Sequence, residues 1–189
     1  LRQKVVIDAA TVCGWLKAVG TLIELLYDAL RQEVLNTHSL GIDETPLKVL
    51  DKNKKGTTHQ GYYWVYYNIL NNLVLFNYQP GRDGGYPKEM LHGYKGHIHV
   101  DGYGGYTQFE NTNDIIVSNC WAHARRKFID AQSFDNVKAG EVLTLIAQLY
   151  GVEKHCRENH FNTEQIKQHR QEKSVPILAA LHVVLKTQL

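Results

Sequence analysis

The chain has 189 residues, 43% of them hydrophobic and 21% charged, enough for a sizeable core and ordinary for a globular α/β or α+β domain. Its net charge of +2, from 21 Lys and Arg against 19 Asp and Glu, is too small to identify a nucleic-acid partner, so such a reading rests on where the basic residues stand. No apolar run reaches the roughly 18 residues a membrane helix needs, Val5–Ala10 is too short for a signal peptide, and Cys13, Cys120 and Cys156 are too few and too scattered for a disulfide framework, which favours a reducing compartment. A chain that opens on Leu1 is expected to be a fragment or a processed piece.

From about Asp8 to Val34, residues Leu16, Val19, Leu22, Ile23, Leu26, Tyr27 and Leu30 recur at spacings of three and four, which predicts one helix capped by Asp8 or Thr11. The period then changes. Leu40 and Ile42 alternate with Gly41 and Asp43, so Leu40–Leu50 reads as a strand, ended by the basic polar loop Asp51–Gly56. Tyr62–Ile69 and Leu73–Tyr78 are aromatic and β-branched runs joined at Asn71–Asn72, which predicts a hairpin. After Pro80–Gly81 and Gly84–Gly85, Pro87 opens a short helical turn that Gly93 closes. Gly96–Asp101 is a fourth strand, with Ile98 and Val100 on one face and His97, His99 and Asp101 on the other. The glycine-tyrosine stretch Asp101–Tyr106 leads to a fifth strand at Ile115–Ser118. Helices are predicted at Ala122–Gln132 and from about Asn136 to Glu158; Asn159–Lys173 is polar, and a last helix runs from Ser174 and Pro176 towards Leu185.

This order predicts an α/β fold of the ribonuclease-H-like kind: a mixed sheet of about five strands flanked by helices, with a helical lead-in and a helical C-terminal segment. The expected divisions are a lead-in at 1–36, a core at 37–135 and a helical segment at 136–189.

Two aspartates stand out by position. Asp43 lies within the first strand and Asp101 closes the fourth, just before a glycine-rich turn. Two-metal phosphodiester chemistry needs carboxylates from neighbouring strands to converge on cations about 3.5–4 Å apart, and Mg²⁺ or Mn²⁺ prefers such oxygen ligands. The plain alternative is that each aspartate caps a strand end. Glu44 alternates to the opposite face and reads as a surface or supporting group. His97 and His99 share a face with Asp101 and are weaker metal candidates, since solvated histidines are common on half-exposed strands. Cys120-x-x-His123 with His155 and Cys156 raises a zinc site, but adjacent helical residues diverge by about 100°, so Cys120 reads as a small buried apolar group and Trp121 as core. His123, at the strand-to-helix junction, is a candidate active-site neighbour with no assigned role. For DNA, Arg82, the run Arg125-Arg126-Lys127, and Lys48, Lys52, Lys54 and Lys55 are the candidate phosphate contacts; the alternative is a solvated basic face.

Four motifs in this order carry a resemblance: Ile42-Asp43-Glu44-Thr45-Pro46-Leu47, Tyr78-Gln79-Pro80-Gly81-Arg82, Val100-Asp101-Gly102-Tyr103, and Cys120-Trp121-Ala122-His123-Ala124-Arg125-Arg126-Lys127-Phe128. Together they resemble the catalytic region of the bacterial insertion-sequence-sixty-six family of transposases. The likeness extends to Trp15–Leu35 and to Arg170–Ser174 with Pro176, nearly the whole chain. The resemblance implies a catalytic domain that uses an Asp, Asp, Glu triad with Mg²⁺ or Mn²⁺ to cleave phosphodiesters and transfer strands at element ends. Asp43 matches the first carboxylate and Asp101 the second. The third stands in an Asn-Asn-x-x-Glu-Arg motif that this sequence lacks and that is expected beyond Leu189; Glu141 and Glu153 are the helical glutamates nearest the required distance. It further implies DNA ends and target DNA as partners, a homo-oligomer in the full-length protein, no membrane association, and the bacterial cytoplasm at the nucleoid. Two alternatives accompany it: a non-catalytic DNA-binding or assembly remnant, and a structure-selective nuclease on the same fold.

Overall fold

A computed structural model describes residues 6–51, 54 and 56–188; Val5 at the chain start and Lys52, Asn53 and Lys55 of the basic loop lie outside them. These divide into two compact units, Leu1–Asn119 and Cys120–Leu189.

The first unit opens with two helices where the periodicity predicts one. They are α1 (Ala9–Leu22) and α2 (Glu24–Leu35), bent by 50° at Ile23. Asp8 caps the start, its Oδ1 accepting the Thr11 N–H at 2.8 Å. The break follows Gly20 and Thr21, whose Oγ1 donates to the Lys17 carbonyl at 3.2 Å and competes with the helical ladder. Ile23 leaves helical geometry at φ −93°, ψ 2°. α1 buries none of its residues, so its apolar stripe is solvent-facing among the described residues, while Val34 of α2 reaches the core. No single described helix is long and apolar enough to cross a membrane.

Then come β1 (Ser39–Leu50), β2 (Thr58–Asn68), β3 (Leu73–Gln79), α3 (Gly85–Met90), β4 (Gly96–Val100), a 3-10 turn at Gly104–Phe109, and β5 (Ile115–Asn119). The sheet order is β3-β2-β1-β4-β5. The β1–β2 and β2–β3 pairs are antiparallel, and β1–β4 and β4–β5 are parallel. The fold is therefore α/β with the five-stranded mixed sheet of a ribonuclease-H-like domain, as the element order predicts. Alternation along the strands turns Leu40, Ile42, Trp64, Tyr66, Leu75, Ile98 and Val100 to one face, where they form the core with Val34 and Met90. Buried Asn68 ties the hairpin to α2: its Nδ2 donates to the Glu33 carbonyl at 3.2 Å, and its Oδ1 accepts from the amides of Leu70 and Asn71.

The register of the sheet creates the site. Along β1, β4 pairs with Ser39–Gly41 alone, whereas β2 follows β1 from Leu40 to Leu50. Beyond Gly41, β1 thus parts from β4 and opens a notch on that side. Pro46, which has no N–H to give, sits in this singly paired stretch.

The second unit is helical: α4 (Trp121–Ala131), α5 (Asn136–Glu158), α6 (Thr163–His169), a π-helical turn (Arg170–Ser174) and α7 (Val175–Gln188). Val142, Ile146 and Leu181 form its core, with Phe128, Leu145, Val184 and Leu185 packed against them. The polar run Asn159–Lys173, for which the periodicity predicts no helix, contains α6. Asn162 and Gln165 make a reciprocal capping box at its start, which stabilises a helix that has no buried face. The π turn has a local cause. Pro176 cannot donate to the carbonyl four residues back and its ring crowds that position; the wider register, with the Val175 N–H reaching the Arg170 carbonyl, accommodates it.

Arg170 also clamps α5, its Nε and Nη2 donating to Glu153 Oε1 and Oε2 at 2.7 and 2.6 Å. This hydrogen bond is the main reason the Glu153 carboxyl is held below its ordinary value of 4.5. A depressed folded pKa stabilises the fold above the unfolded value and loses that effect as pH falls through the folded one. Because both side chains are partly exposed, Glu153→Gln is expected to cost no more than about 1 kcal/mol at neutral pH. Urea melts of the two proteins should converge in acid, below pH 4.5. A gap that persists there would mean that packing, not charge, holds the π turn to α5.

Candidate metal centre

The parallel register sets Gly41 opposite His99, so Asp43 and Asp101, each two residues on, project from the same face at the notch. Their carboxylates offer oxygens within 4.8 Å of each other. Asp43 is exposed and Asp101 half-buried. Local hydrogen bonds orient both: Asp43 Oδ1 accepts the Glu44 N–H at 2.9 Å, and Asp101 Oδ1 accepts the Tyr103 N–H at 2.9 Å, an Asx turn that the glycine-rich segment permits. Two like charges this close repel, and a hard divalent cation offsets the repulsion while satisfying both oxygens. The donor set therefore fits Mg²⁺ or Mn²⁺.

Beneath the pair lies a polar cluster that residue patterns alone do not reveal. The sequence places Glu44 at the surface or in support of the site. The opposite-face assignment holds, but the surface position does not: its side chain is only 1% exposed, because that face of β1 is the core face, opposite Trp64. Arg82 pairs with Glu44 through Nη2 and also donates from Nε at 2.6 Å. Tyr106 donates its hydroxyl to the other Glu44 oxygen at 2.8 Å. Burial first, and then the Glu44 charge, push the Tyr106 phenol far above its ordinary pKa, so it remains a donor. Arg82 Nη2 also stands 3.7 Å from Asp101 Oδ2, and its guanidinium lies 4.1 Å over the Tyr103 ring. Tyr103 returns its hydroxyl to the Arg82 carbonyl. Burial opposes the Arg82 charge, yet the Glu44 hydrogen bond and the nearby carboxylates outweigh it and raise its pKa. Strand parity alone turns Glu44 inward with Ile42, and a buried carboxylate demands a cationic partner; that is the signal the sequence holds.

The remaining candidates fall as follows. His97 and His99 do share a face with Asp101, but neither offers a nitrogen within 4.8 Å of both carboxylates among the described residues. His99 Nε2 lies 3.1 Å from Ser39 Oγ, and burial, followed by the charge of His97, lowers its pKa. His123, Arg125, Arg126 and Lys127 belong to the second unit, in the first turns of α4; His123 is half-buried and the three basic residues are exposed. Lys48 and Lys54 are also exposed. Glu141 is exposed on α5, while the Glu153 carboxylate is engaged by Arg170. In the candidate zinc set, Cys156 is buried in α5, and His155 stacks on His169 with ring centroids 5.0 Å apart. Cys120 is half-buried, and Trp121 is 40% exposed rather than core, at the rim of a cleft lined by Ile146, Leu149 and Tyr150 of α5.

Comparison with known proteins gives three findings. The family model described as "Transposase IS66 family" matches residues 1–189. Two uncharacterized proteins of Sinorhizobium fredii, y4qI and y4jD, are 26% and 25% identical over 100% and 94% of this chain. The chain spans 37% of the length of each of these curated relatives. Among solved structures, a chain of the simian T-cell lymphotropic virus intasome in complex with PP2A regulatory subunit B56 gamma is similar over 72% of this chain and 48% of its own, at 16% identity and a TM-score of 0.35. A likeness of that size bears on no individual residue.

Proposed function

This chain belongs to the IS66 transposase family, and from that premise we propose that it is a catalytic-core segment whose Asp43 and Asp101 hold a divalent cation for phosphodiester cleavage and strand transfer at element ends. The observation that carries the reading is the convergence of the two carboxylates at the β1–β4 notch. A cation bound there supplies charge neutralisation at a phosphodiester and activates an attacking oxygen. The chain's own residues do the rest. Asp43 and Asp101 present opposed oxygens, and the Tyr103 amide fixes the direction of Asp101. Arg125, Arg126 and Lys127 contact phosphates and set the strand's register, whereas the Arg82 guanidinium, also a candidate phosphate contact by sequence, is engaged by Glu44. Mg²⁺ or Mn²⁺ as the ion, DNA ends and target DNA as partners, a homo-oligomeric assembly and a cytoplasmic setting all belong to this proposal.

No third carboxylate joins Asp43 and Asp101 within the first unit among the described residues. This favours a second reading, in which the chain binds DNA and cation but does not cut. One assay separates the two: the purified chain incubated with Mn²⁺ or Mg²⁺ and a supercoiled plasmid carrying element ends. Binding without nicking supports the second reading. Nicking that disappears in Asp43→Asn would show a complete site and return Glu141 or Glu153 as the third ligand. A chain that bound neither DNA nor cation would sink the proposal itself.

The basic turns of α4 give a separate test. Arg125→Ala with Arg126→Ala is expected to weaken DNA binding across all sequences alike and to reduce the salt slope by about one unit for each phosphate no longer neutralised. An unchanged affinity through a salt titration would reduce the pair to a solvated face.

A further inference from the structure

We infer that Glu44 is a positioning residue that acts through Arg82: its buried carboxylate holds the guanidinium, keeping Asp101 open to a divalent cation. The inference rests on the reading of Asp43 and Asp101 as the cation's ligands.

A single nitrogen, Arg82 Nη2, faces two carboxylates. It is in direct contact with Glu44 and 3.7 Å from Asp101. The two carboxylates compete for it on unequal terms. The Glu44 side chain is 1% exposed and that of Asp101 is 19%, so the pair with Glu44 is the less screened and the stronger. Arg82 Nε donates to the same Glu44 oxygen, Oε1, so two guanidinium nitrogens converge on it. Tyr106 occupies the other Glu44 oxygen, and the Tyr103 ring lies under the guanidinium plane.

Burying the Glu44 carboxylate on the core face is a costly way to fill that space, since an apolar side chain of similar size would pack there without desolvating a charge, while Arg82 stays 41% exposed. What the pair provides is local neutrality. An Arg82 released from Glu44 would turn to Asp101 as its nearest anion, claim the oxygens the cation needs, and leave an uncompensated positive charge beside the site. Both effects disfavour a divalent cation. The roles are therefore ordered: Asp101 is the ligand, Arg82 its poised competitor, and Glu44 the group that restrains the competitor.

The test is a titration of the purified chain with Mn²⁺, reading free ion by its EPR signal, with each variant's fold checked by circular dichroism. Glu44→Gln is expected to lower Mn²⁺ affinity at least tenfold. Arg82→Gln should bind no more weakly than the parent chain, and Glu44→Gln with Arg82→Gln should recover to within threefold of it. That recovery is a readout a merely structural Glu44 would not give. If Glu44→Gln fails to fold, Arg82→Gln still decides: a tenfold loss there makes the guanidinium a support for Asp101 and overturns the inference. So does Glu44→Gln binding like the parent, or a double variant no better than Glu44→Gln. The underlying reading fails in a different way, with Asp43→Asn and Asp101→Asn leaving Mn²⁺ binding intact.

Discussion

Asp43→Asn, and separately Asp101→Asn, are each expected to weaken Mn²⁺ binding by this chain about a hundredfold or more while leaving the metal-free protein slightly more stable. Groups that only orient a metal ligand are typically worth about 10–100-fold in affinity, so loss of one of two anionic ligands belongs at or above the top of that range. Asparagine keeps the size of aspartate and an oxygen able to accept the Glu44 or Tyr103 amide, so both 2.9 Å hydrogen bonds can persist. What disappears is charge. Two carboxylate oxygens within 4.8 Å repel by about 1 kcal/mol in a water-like dielectric. Relieving that repulsion should raise Tm by about 1–4 °C in a chain of this size, and less at Asp101, where Arg82 already offsets part of it. Opposite signs for affinity and stability mark residues kept for function rather than folding. A Tm that falls by several degrees with Mn²⁺ affinity unchanged would make both aspartates strand-end caps, the plain alternative.

Much of this arrangement is legible in the sequence because strand parity is a strict rule. Asp43 and Asp101 each sit among residues whose neighbours must be buried, Ile42 on β1 and Val100 on β4, so both have to emerge on the opposite face. Their convergence depends on one further fact that periodicity does not carry, the parallel register of β1 on β4. The same parity turns Glu44 inward, yet a charge on the core face contradicts its own alternation, and only the position of Arg82 resolves that. Arg82 approaches from a loop, and no periodic signal fixes a loop's path. The helical misreadings have a common origin too. The apolar stripe from Leu16 to Leu30 is continuous in sequence, but Gly20, Thr21 and the Thr21 side-chain bond divide it into α1 and α2. α6 is hidden for the converse reason: it buries no residue, so it has no apolar stripe to read, and its capping box is the only local sign.

Gly96→Ala is expected to destabilise the first unit by about 2–3 kcal/mol, a fall in Tm of roughly 4–12 °C. Gly96 opens β4 at φ 148°, where an L side chain is strained whatever the space. Space is also missing: a Cβ there would stand 2.8 Å from the His38 carbonyl oxygen and 3.0 Å from its Cα, backbone atoms that cannot swing aside. The start of β4 is pinned from both sides, by the Gly96 amide on the Asp114 carbonyl and the His97 amide on the His38 carbonyl, each at 2.9 Å. Alanine must therefore move the strand rather than a side chain. Because β4 ends at Val100 and Asp101 follows it directly, a shift at Gly96 is carried along a five-residue strand to the ligand. Reaction rates are sensitive to such displacements, about 1 Å costing about a hundredfold, and a two-carboxylate site is exposed to the same geometry. Gly96→Ala should thus lower both Tm and Mn²⁺ affinity, in contrast to the aspartate variants, which separate the two. An alanine variant as stable as the parent would show that the β1–β4 opening tolerates movement, and the notch would then lose its rigid frame.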